Sequence, residues 1–384
     1  MSQTTAINAR PSTLTAIERK RMDMFASLLA KGEAHLENKQ FTDALDCFAL
    51  ALCFDPENPQ AQLGLNRAYC EIIPRWHFEM LNDEKRNAAF QQALMNAVTP
   101  ETIVLDIGSG TALLAMMAAR AGAKETITCE MVPQMAQLAR DTVALNGLAD
   151  RIVILDQKST SVVIGNQMAR KANLLVTETV DCGLLAEGIV ASIAHAKANL
   201  LTEDAQIVPS AATVYAMVVE SPRLRNLNVA QTAAGFDVSL MNCYATAHYF
   251  PVRLNAFEYT PLTDPFEVFH FDFGNGTIVP ERKTIRVRAR SDGAGQCIIF
   301  WFNMQLDKDT AISNEPGSTT HWEQALQCLD KEVAVRAGDT LIISAEHDCQ
   351  LIQFRNCEAE NDFSRQDGGL EESSLDSGKL CAFA

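Results

Sequence analysis

The sequence predicts α/β followed by all-β architecture, with a helical region ahead of both. Three observations carry that expectation. Between residues 14 and 72 apolar residues recur at helical spacing. From about 100 to 205 short apolar runs alternate with amphipathic stretches, the pattern of strands joined by crossover helices. From about 208 onward helices vanish, and strand-like runs follow one another with turn residues between them.

In the first region RMDMFASLLAKGEAHLENKQ, FTDALDCFALALCFDP and NPQAQLGLNRAYCEI each end at polar or proline-bearing turns. Gly32, Ala44, Phe48, Ala51 and Pro56 fall at the offsets of a tetratricopeptide repeat, whose small residues let paired helices approach and whose proline closes the second helix. Gln62 to Tyr69 read as half of another repeat; a helical extension without repeat identity is the alternative. Either way the region is expected to pack or dock, and it holds no catalytic constellation.

TIVLDI, TITCE, RIVILD and NLLVTET read as strands, and TALLAMMAARAGA and QMAQLARDTVALNG as the helices between them, so residues 73–208 are expected to form a doubly wound parallel sheet. ATVYAMVVES, FEVFHFDF, KTIRVRARS, CIIFWFNMQL and DTLIISAE read as strands of a barrel or sandwich over 209–363. In KTIRVRARS the alternation is clean, Ile285, Val287 and Ala289 opposing Arg286, Arg288 and Arg290. The tail, 364–384, is polar and acidic and is expected to be disordered.

Composition narrows the function classes. The chain has 384 residues, 47% of them hydrophobic, enough for ordinary globular cores. Its eleven cysteines stand singly, without a C-x-x-C pair or a cluster with any of the seven histidines, so neither disulfides nor a metal site is expected and the setting reads as cytoplasmic. The first residues lack a basic-then-apolar signal pattern, and no apolar run approaches the roughly eighteen residues of a membrane span. A net charge of −16 disfavours nucleic acid as a direct partner and suits a basic one.

The chemistry begins at VLDIGSGTALL. Asp106 ends the first strand, Gly108 and Gly110 permit a tight turn, and a helix starts at once, so a ligand would sit against its N-terminus. A dinucleotide fingerprint would need glycine where the chain has Leu113, which disfavours a nicotinamide oxidoreductase. Glu130 closes the second strand, where a carboxylate can accept from both ribose hydroxyls of a nucleoside. Together these match the Rossmann-like transferases that use S-adenosylmethionine. Further on, TETVDCGLLAEG places Glu178 and Glu187 among small and apolar residues. A carboxylate drawn toward an apolar interior without a partner costs several kcal/mol, so a cation is expected there.

Residues 74–384 resemble the protein arginine N-methyltransferase family, through PRWHFEMLND, VTETVDCGLLAEGIV and THWEQA, and most of all its tetratricopeptide-bearing branch. The resemblance implies a class I methyltransferase domain, a C-terminal β-barrel with a dimerisation arm near 221–250, and S-adenosyl-L-methionine as cofactor. It assigns Glu178 and Glu187 to the substrate guanidinium, and it implies a contact between Asp83 and His321 that either receives a proton or joins the domains. Arg86 would bind the methionine carboxylate of the cofactor, with His77 against it. Met80 would line the space around the transferred methyl, and Trp322 would border the substrate. Ser159 and Thr160 stand where the family commonly has an adenine-contacting glutamate. Ala112 replaces a glycine and is expected to be tolerated if that backbone is helical.

The same resemblance points to an arginine-containing, basic protein substrate. Arg67 and Glu71 stand where asymmetric-dimethylating members carry two tyrosines, so monomethyl and symmetric dimethylarginine are the expected products; monomethylation alone, or a catalytically weak binding module, are the alternatives. Physical reasoning agrees with the clamp. A guanidinium is planar, its pKa exceeds about 12, and two carboxylates can hold its fork bidentately. A homodimer is expected because one catalytic module must find its partner in a second copy, and Leu224, Leu227, Val229, Phe236, Val238, Leu240 and Met241 are too apolar for a free loop.

Overall fold

Thr15 opens the first helix with a reciprocal cap: its hydroxyl accepts from Glu18 N at 3.2 Å, and the Glu18 carboxylate accepts from Thr15 N at 2.7 Å. The computed structural model describes residues 15–360, and the chain divides between Asn82 and Asp83 into two compact units. The acidic tail expected to be disordered, 364–384, and the start of the chain lie outside the described residues.

The first unit holds α1 (Ala16–Glu37), α2 (Phe41–Phe54), α3 (Pro59–Ile72) and the short α4 (Trp76–Leu81). Asn58 caps α3, accepting from Gln60 N and Ala61 N, and Pro59 follows at the first helical position, where a missing N–H costs nothing. Phe48 on α2 is fully buried and fills the space left by two glycines. A Cβ on Gly32 of α1 would stand 2.7 Å from its ring, and one on Gly64 of α3 would stand 2.4 Å away. Ala44, Ala51, Ala61 and Ala68 complete this small-residue packing, so the helices approach through absent side chains. The sequence had ended the helical region at 72; α4 groups with it by contact.

The second unit begins with α5 (Glu84–Ala97) and continues through β1 (Ile103–Ile107), α6 (Leu113–Ala121), β2 (Glu125–Glu130), α7 (Pro133–Leu145), β3 (Ile152–Asp156), β4 (Ala172–Thr177), α8 (Ile189–Asn199) and β5 (Leu201–Val208). These five strands form one parallel sheet in the order β3-β2-β1-β4-β5. The order reverses between β1 and β4, which opens a crevice at their carboxyl ends. All five residues of β1 are buried, as covering a parallel sheet on both faces requires.

A β-rich region follows: β6 (Ala211–Glu220), the single turn α9 (Pro222–Arg225), β7 (Thr232–Ala233), β8 (Phe236–Asp237), β9 (Phe250–Val252), β10 (Thr260–Pro261), β11 (Phe266–Asp272), β12 (Glu281–Arg288), β13 (Gly293–Gln305), β14 (Ala311–Ser313), β15 (Gln324–Val335), β16 (Thr340–His347) and β17 (Ile352–Glu360). The larger antiparallel sheet runs β10-β6-β13-β15-β9, with β11 on β6 and β14 on β13; β12-β16-β17 form a second. The alternation expected in β12 is present, Ile285 and Val287 half-buried between exposed Arg286 and Arg288. Helix does not vanish after 208 as expected, since Ser221 caps α9 through its hydroxyl. In the segment after it Leu224 is buried, whereas Phe236, Leu240 and Tyr244 are 74%, 90% and 81% exposed.

The wedge in the first unit makes a prediction. Gly64→Ala should gain about 1 kcal/mol of helix propensity and lose roughly 1–3 kcal/mol to the overlap with Phe48. A lower urea midpoint for α1–α3, partly restored by adding Phe48→Leu, is the expected outcome; an unchanged midpoint would show that Phe48 is not wedged there.

Candidate active site

At the carboxyl end of β1, Asp106 is fully buried, and the Thr128 hydroxyl on β2 donates to its Oδ2 at 2.8 Å. Burial pushes the Asp106 carboxyl up to about 7, against the pull of Thr128 and Arg86. Its Oδ1 has no hydrogen-bond partner. Gly108, at φ +90°, is required by a close approach: a Cβ would stand 2.8 Å from the Thr179 side chain on the loop after β4. The expectation for Ala112 needs correction. Its backbone is left-handed rather than helical, φ 62°, a conformation that costs a non-glycine residue roughly 1–2 kcal/mol. Its methyl is fully buried in the cluster between α6 and α7, which offsets part of that cost.

Glu130 ends β2, buried, with Oε2 accepting from Gly110 N at 3.1 Å and Oε1 from Val132 N at 2.9 Å. Gln134 Oε1 and Gln157 Nε2, just past the ends of β2 and β3, are buried without partners, as is Arg86 Nε. Ser159 is buried and Thr160 exposed in the turn after β3. Unpaired buried polar atoms are rare in folded proteins, and these line the carboxyl edge of the sheet. The set fits S-adenosylmethionine, with second lone pairs on Glu130 for ribose hydroxyls and polar atoms at Asp106 and Arg86 for the amino-acid end.

Thr177 ends β4 with its hydroxyl donating to Ile107 O at 2.9 Å, which fixes the start of the two-glutamate loop. Glu178 follows, and Arg86 Nη2 donates a short hydrogen bond to its Oε2; both side chains are 4% exposed. Burial pushes the Glu178 carboxyl above its ordinary value, Arg86 pulls it back, and Asp83 adds to the rise. Arg86 is itself placed by α5: Asp83 caps that helix, accepting from Arg86 N at 2.9 Å, and the guanidinium lies 5.3 Å from the Phe90 ring centre.

The other oxygen of Asp83 accepts from His321 N at 2.7 Å and from His321 Nδ1 at 3.0 Å. Burial raises the Asp83 carboxyl, but the hydrogen bonds from Arg86 and His321 outweigh it and hold the group below its usual range.

Glu187 stands at the open end of the loop. Partial desolvation of its carboxyl, then the charges of Glu178 and Asp181, push it up to about 7. The loop between is pinned from the β-rich region. Trp322 Nε1 donates to Val180 O at 3.2 Å, and Asn314 Nδ2 to Cys182 O at 3.1 Å. Tyr249 OH donates to Asp181 Oδ2 at 2.7 Å. Leu184, fully buried, holds a left-handed backbone at φ 86°, strain that such anchors sustain.

The structure therefore gathers Asp83, Arg86, Asp106, Gly108, Gly110, Glu130, Glu178, Glu187 and His321. Trp322 departs from expectation: it is 6% exposed and lies against the loop as a support rather than as a substrate wall. His77 and Met80 belong to α4 in the first unit, where His77 stacks on Trp76 and its Nδ1–H donates to Pro74 O at 3.0 Å. Sequence reasoning missed Thr128, Asn314 and Tyr249, which no motif marks. It also missed Asp181, although a third carboxylate in TETVDCGLLAEG carried the same signal as the two glutamates. Among the described residues no cluster of histidine, cysteine or acidic side chains could hold a metal, and no helix is long and apolar enough to cross a membrane.

Comparison with known proteins agrees with this geometry. Residues 210–367 match the family description "Arginine methyltransferase oligomerization subdomain", and residues 89–211 match "Ribosomal protein L11 methyltransferase (PrmA)". The chain is 40% identical to arginine N(omega)-methyltransferase of Streptomyces achromogenes subsp. streptozoticus, over 74% of this chain and 81% of that protein. It is 33% identical to protein arginine N-methyltransferase 9 of Xenopus laevis, over 83% of this chain and 43% of that protein. It is also 32% identical to protein arginine N-methyltransferase 7 of Drosophila yakuba, over 74% and 48%. The chain thus spans less than half the length of these animal relatives.

Among solved structures, Arabidopsis thaliana protein arginine methyltransferase 10 superposes with a TM-score of 0.63 at 19% identity, over 77% of this chain and 96% of that one. The Trypanosoma brucei PRMT1 enzyme-prozyme heterotetrameric complex with AdoHcy gives 0.61 at 22%, over 70% and 86%. Both share the class I methyltransferase-like sheet and the β-rich region after it. The sheet order, the carboxylate loop on β4 and the extent of the Streptomyces match lead to one assignment: the chain belongs to the protein arginine N-methyltransferase family of S-adenosylmethionine-dependent enzymes.

Proposed function

We propose that this protein methylates a guanidino nitrogen of arginine in a basic protein segment, giving monomethyl and symmetric dimethylarginine. One observation carries the reading: Glu178, Asp181 and Glu187 crowd one loop, and the cation that meets Glu178, Arg86, is itself a guanidinium. S-adenosylmethionine supplies an electrophilic methyl that needs little activation, so the work left to the chain is positioning. Glu178 and Glu187 hold the planar fork and leave one terminal nitrogen aimed at the methyl. Glu130 takes the ribose, Ser159 and Thr160 border the adenine, and Arg86 serves the cofactor carboxylate. Asp83, which accepts from both Arg86 and His321, is assigned to joining α5 to the 320–322 turn rather than to moving a proton.

Arg67 supports a product that is not asymmetric, since its guanidinium donates to Glu33 at 3.0 Å and brings no aromatic lid. The fit of Phe48 between Gly32 and Gly64 supports a tetratricopeptide-like docking region, and the two antiparallel sheets suit a barrel for the substrate. The free thiols among the described residues suit a cytoplasmic enzyme. A second reading, free arginine as substrate, is favoured by the name of the Streptomyces relative, which specifies arginine alone.

We further propose a homodimer. Its arm, 221–250, exposes Phe236, Leu240, Met241 and Tyr244. A groove of about 540 Å³ between α5 and α6, lined by Met95, Leu113, Met116 and Met117, is suited to receive it from a second copy.

Labelled S-adenosylmethionine offered with an arginine-bearing peptide or with free L-arginine, followed by mass spectrometry, tests the substrate. Peptide carrying monomethyl and symmetric dimethyl groups is expected; label in free arginine alone selects the second reading, and no label refutes both. Glu187→Gln should lower kcat/KM at least tenfold, the loss expected when a charged hydrogen bond worth about 1.5–3 kcal/mol is removed, and should leave S-adenosylhomocysteine affinity unchanged.

The pH dependence follows from the same group. The ionised carboxylate binds the cation, so kcat/KM should fall as pH drops through about 7, where Glu187 gains its proton. A profile flat from about pH 6 to 8 contradicts the clamp. For the dimer, Leu227→Glu with Phe236→Glu should give a monomer by light scattering with a parallel loss of activity; a wild-type protein that is monomeric and fully active at micromolar concentration contradicts it.

A further inference from the structure

Tyr249 has no part in the chemistry so far, yet from the segment that precedes β9 it touches the two-glutamate loop through both its hydroxyl and its ring. Its hydroxyl donates to Asp181 Oδ2 at 2.7 Å, and the other oxygen of the same carboxylate accepts from Ala186 N at 3.0 Å. One carboxylate therefore ties the outgoing limb of the loop to the returning limb, one residue before Glu187. The ring lies flush on the loop backbone as well: a Cβ on Gly183 would stand 2.3 Å from Tyr249 Cζ. Its far side meets Phe300 of β13 edge-on, ring centres 5.0 Å apart at 85°. The next residue, Phe250, pairs with Leu326 of β15, so the tyrosine is rooted in the large sheet.

We propose that Tyr249 is a positioning residue for methyl transfer: acting through Asp181, its hydroxyl sets where Glu187 stands relative to Glu178. A phenol that were merely satisfied by the nearest acceptor would not need a bridging one. Asp181 is shared between Tyr249 and the backbone beside Glu187, and a carboxylate with both oxygens committed transmits position where a single contact would not. Burial, and after it the Asp181 charge, raise the Tyr249 phenol far above its ordinary value, so it stays a donor across the working pH range. The rest of the loop is held by Trp322 and Asn314 at Val180 and Cys182, both on its outgoing limb. On the returning limb Leu184 and Leu185 are buried in the core, and Asp181, held by Tyr249, supplies the side-chain hydrogen bond beside Glu187.

This inference rests on the reading that Glu178 and Glu187 hold a guanidinium, and the test separates the two. Tyr249→Phe keeps the ring on Gly183 and Phe300 and removes only the hydroxyl. It should lower kcat by about tenfold or more, because small displacements of a reacting group are costly, while KM for the arginine substrate, the melting temperature and S-adenosylhomocysteine affinity stay within about twofold or a degree of wild type. Asp181→Ala should lose at least as much, and the double variant should be no worse than Asp181→Ala alone, since the two residues act as one unit. Full activity in Tyr249→Phe, additive losses in the double variant, or a matching loss of S-adenosylhomocysteine affinity would each overturn the proposal. Glu187→Gln is the control: if it is inactive while Tyr249→Phe is fully active, positioning alone fails, and if both are fully active, the clamp reading fails with it.

Discussion

The structure turns on an excess of carboxylate at the carboxyl edge of the parallel sheet. Asp83, Asp106, Glu130, Glu178 and Glu187 converge there, and each is settled differently. Asp83 accepts a helix-cap hydrogen bond and two from His321, and Glu130 accepts two backbone amides. Asp106 is raised toward neutrality by burial. Glu178 meets Arg86, and Glu187 faces the charges of Glu178 and Asp181. Gathering like charges in a partly buried crevice is unfavourable unless a cation is going to arrive, so the arrangement reads as a receptor for positive charge.

The buried Arg86–Glu178 pair is the hinge of that arrangement. A buried ion pair contributes little net stability, yet removing one partner leaves the other uncompensated at a cost of about 3–5 kcal/mol. Whatever enters must therefore replace what it displaces, a carboxylate for Arg86 and a cation for Glu178. A cofactor with an amino-acid end and a substrate with a guanidinium bring those two groups. The rest of the second unit serves the geometry. Gly108 lets the loops after β1 and β4 touch, and the β-rich region reaches back through Trp322, Asn314 and Tyr249 to pin the loop that holds the glutamates.

Much of this was legible in the sequence because it rests on local rules. Alternating apolar runs gave the parallel sheet, and the glycines and Asp106 of VLDIGSG marked its ligand edge. Two glutamates in an apolar stretch announced a missing cation. What stayed hidden was long-range. Nothing local says that Arg86 will lie on Glu178, or that Tyr249 will reach Asp181; the meeting of Asp83 with His321 was implied only by the family resemblance and not by any local rule. Ala112 was misjudged because residue type alone does not reveal a left-handed backbone at a helix start. Trp322 was placed beside the substrate because motif position says which residues are near a site, not which way an indole turns. Phe48, Gly32 and Gly64 were the converse case: small residues at helical offsets announce close helix approach, and the ring that fills the gap follows from volume.

The central claim is that this pocket is short of a cation and that a guanidinium supplies it. Proton exchange on binding measures that shortage directly. Burial and the charges of Glu178 and Asp181 push the Glu187 carboxyl up to about 7, so an arriving guanidinium should favour loss of a proton from it near neutral pH. Calorimetric titration of an arginine-bearing ligand into the S-adenosylhomocysteine complex at pH 7, in buffers of different ionisation enthalpy, should reveal net proton release. Binding enthalpies that do not depend on the buffer, or a net uptake of protons, would contradict the account.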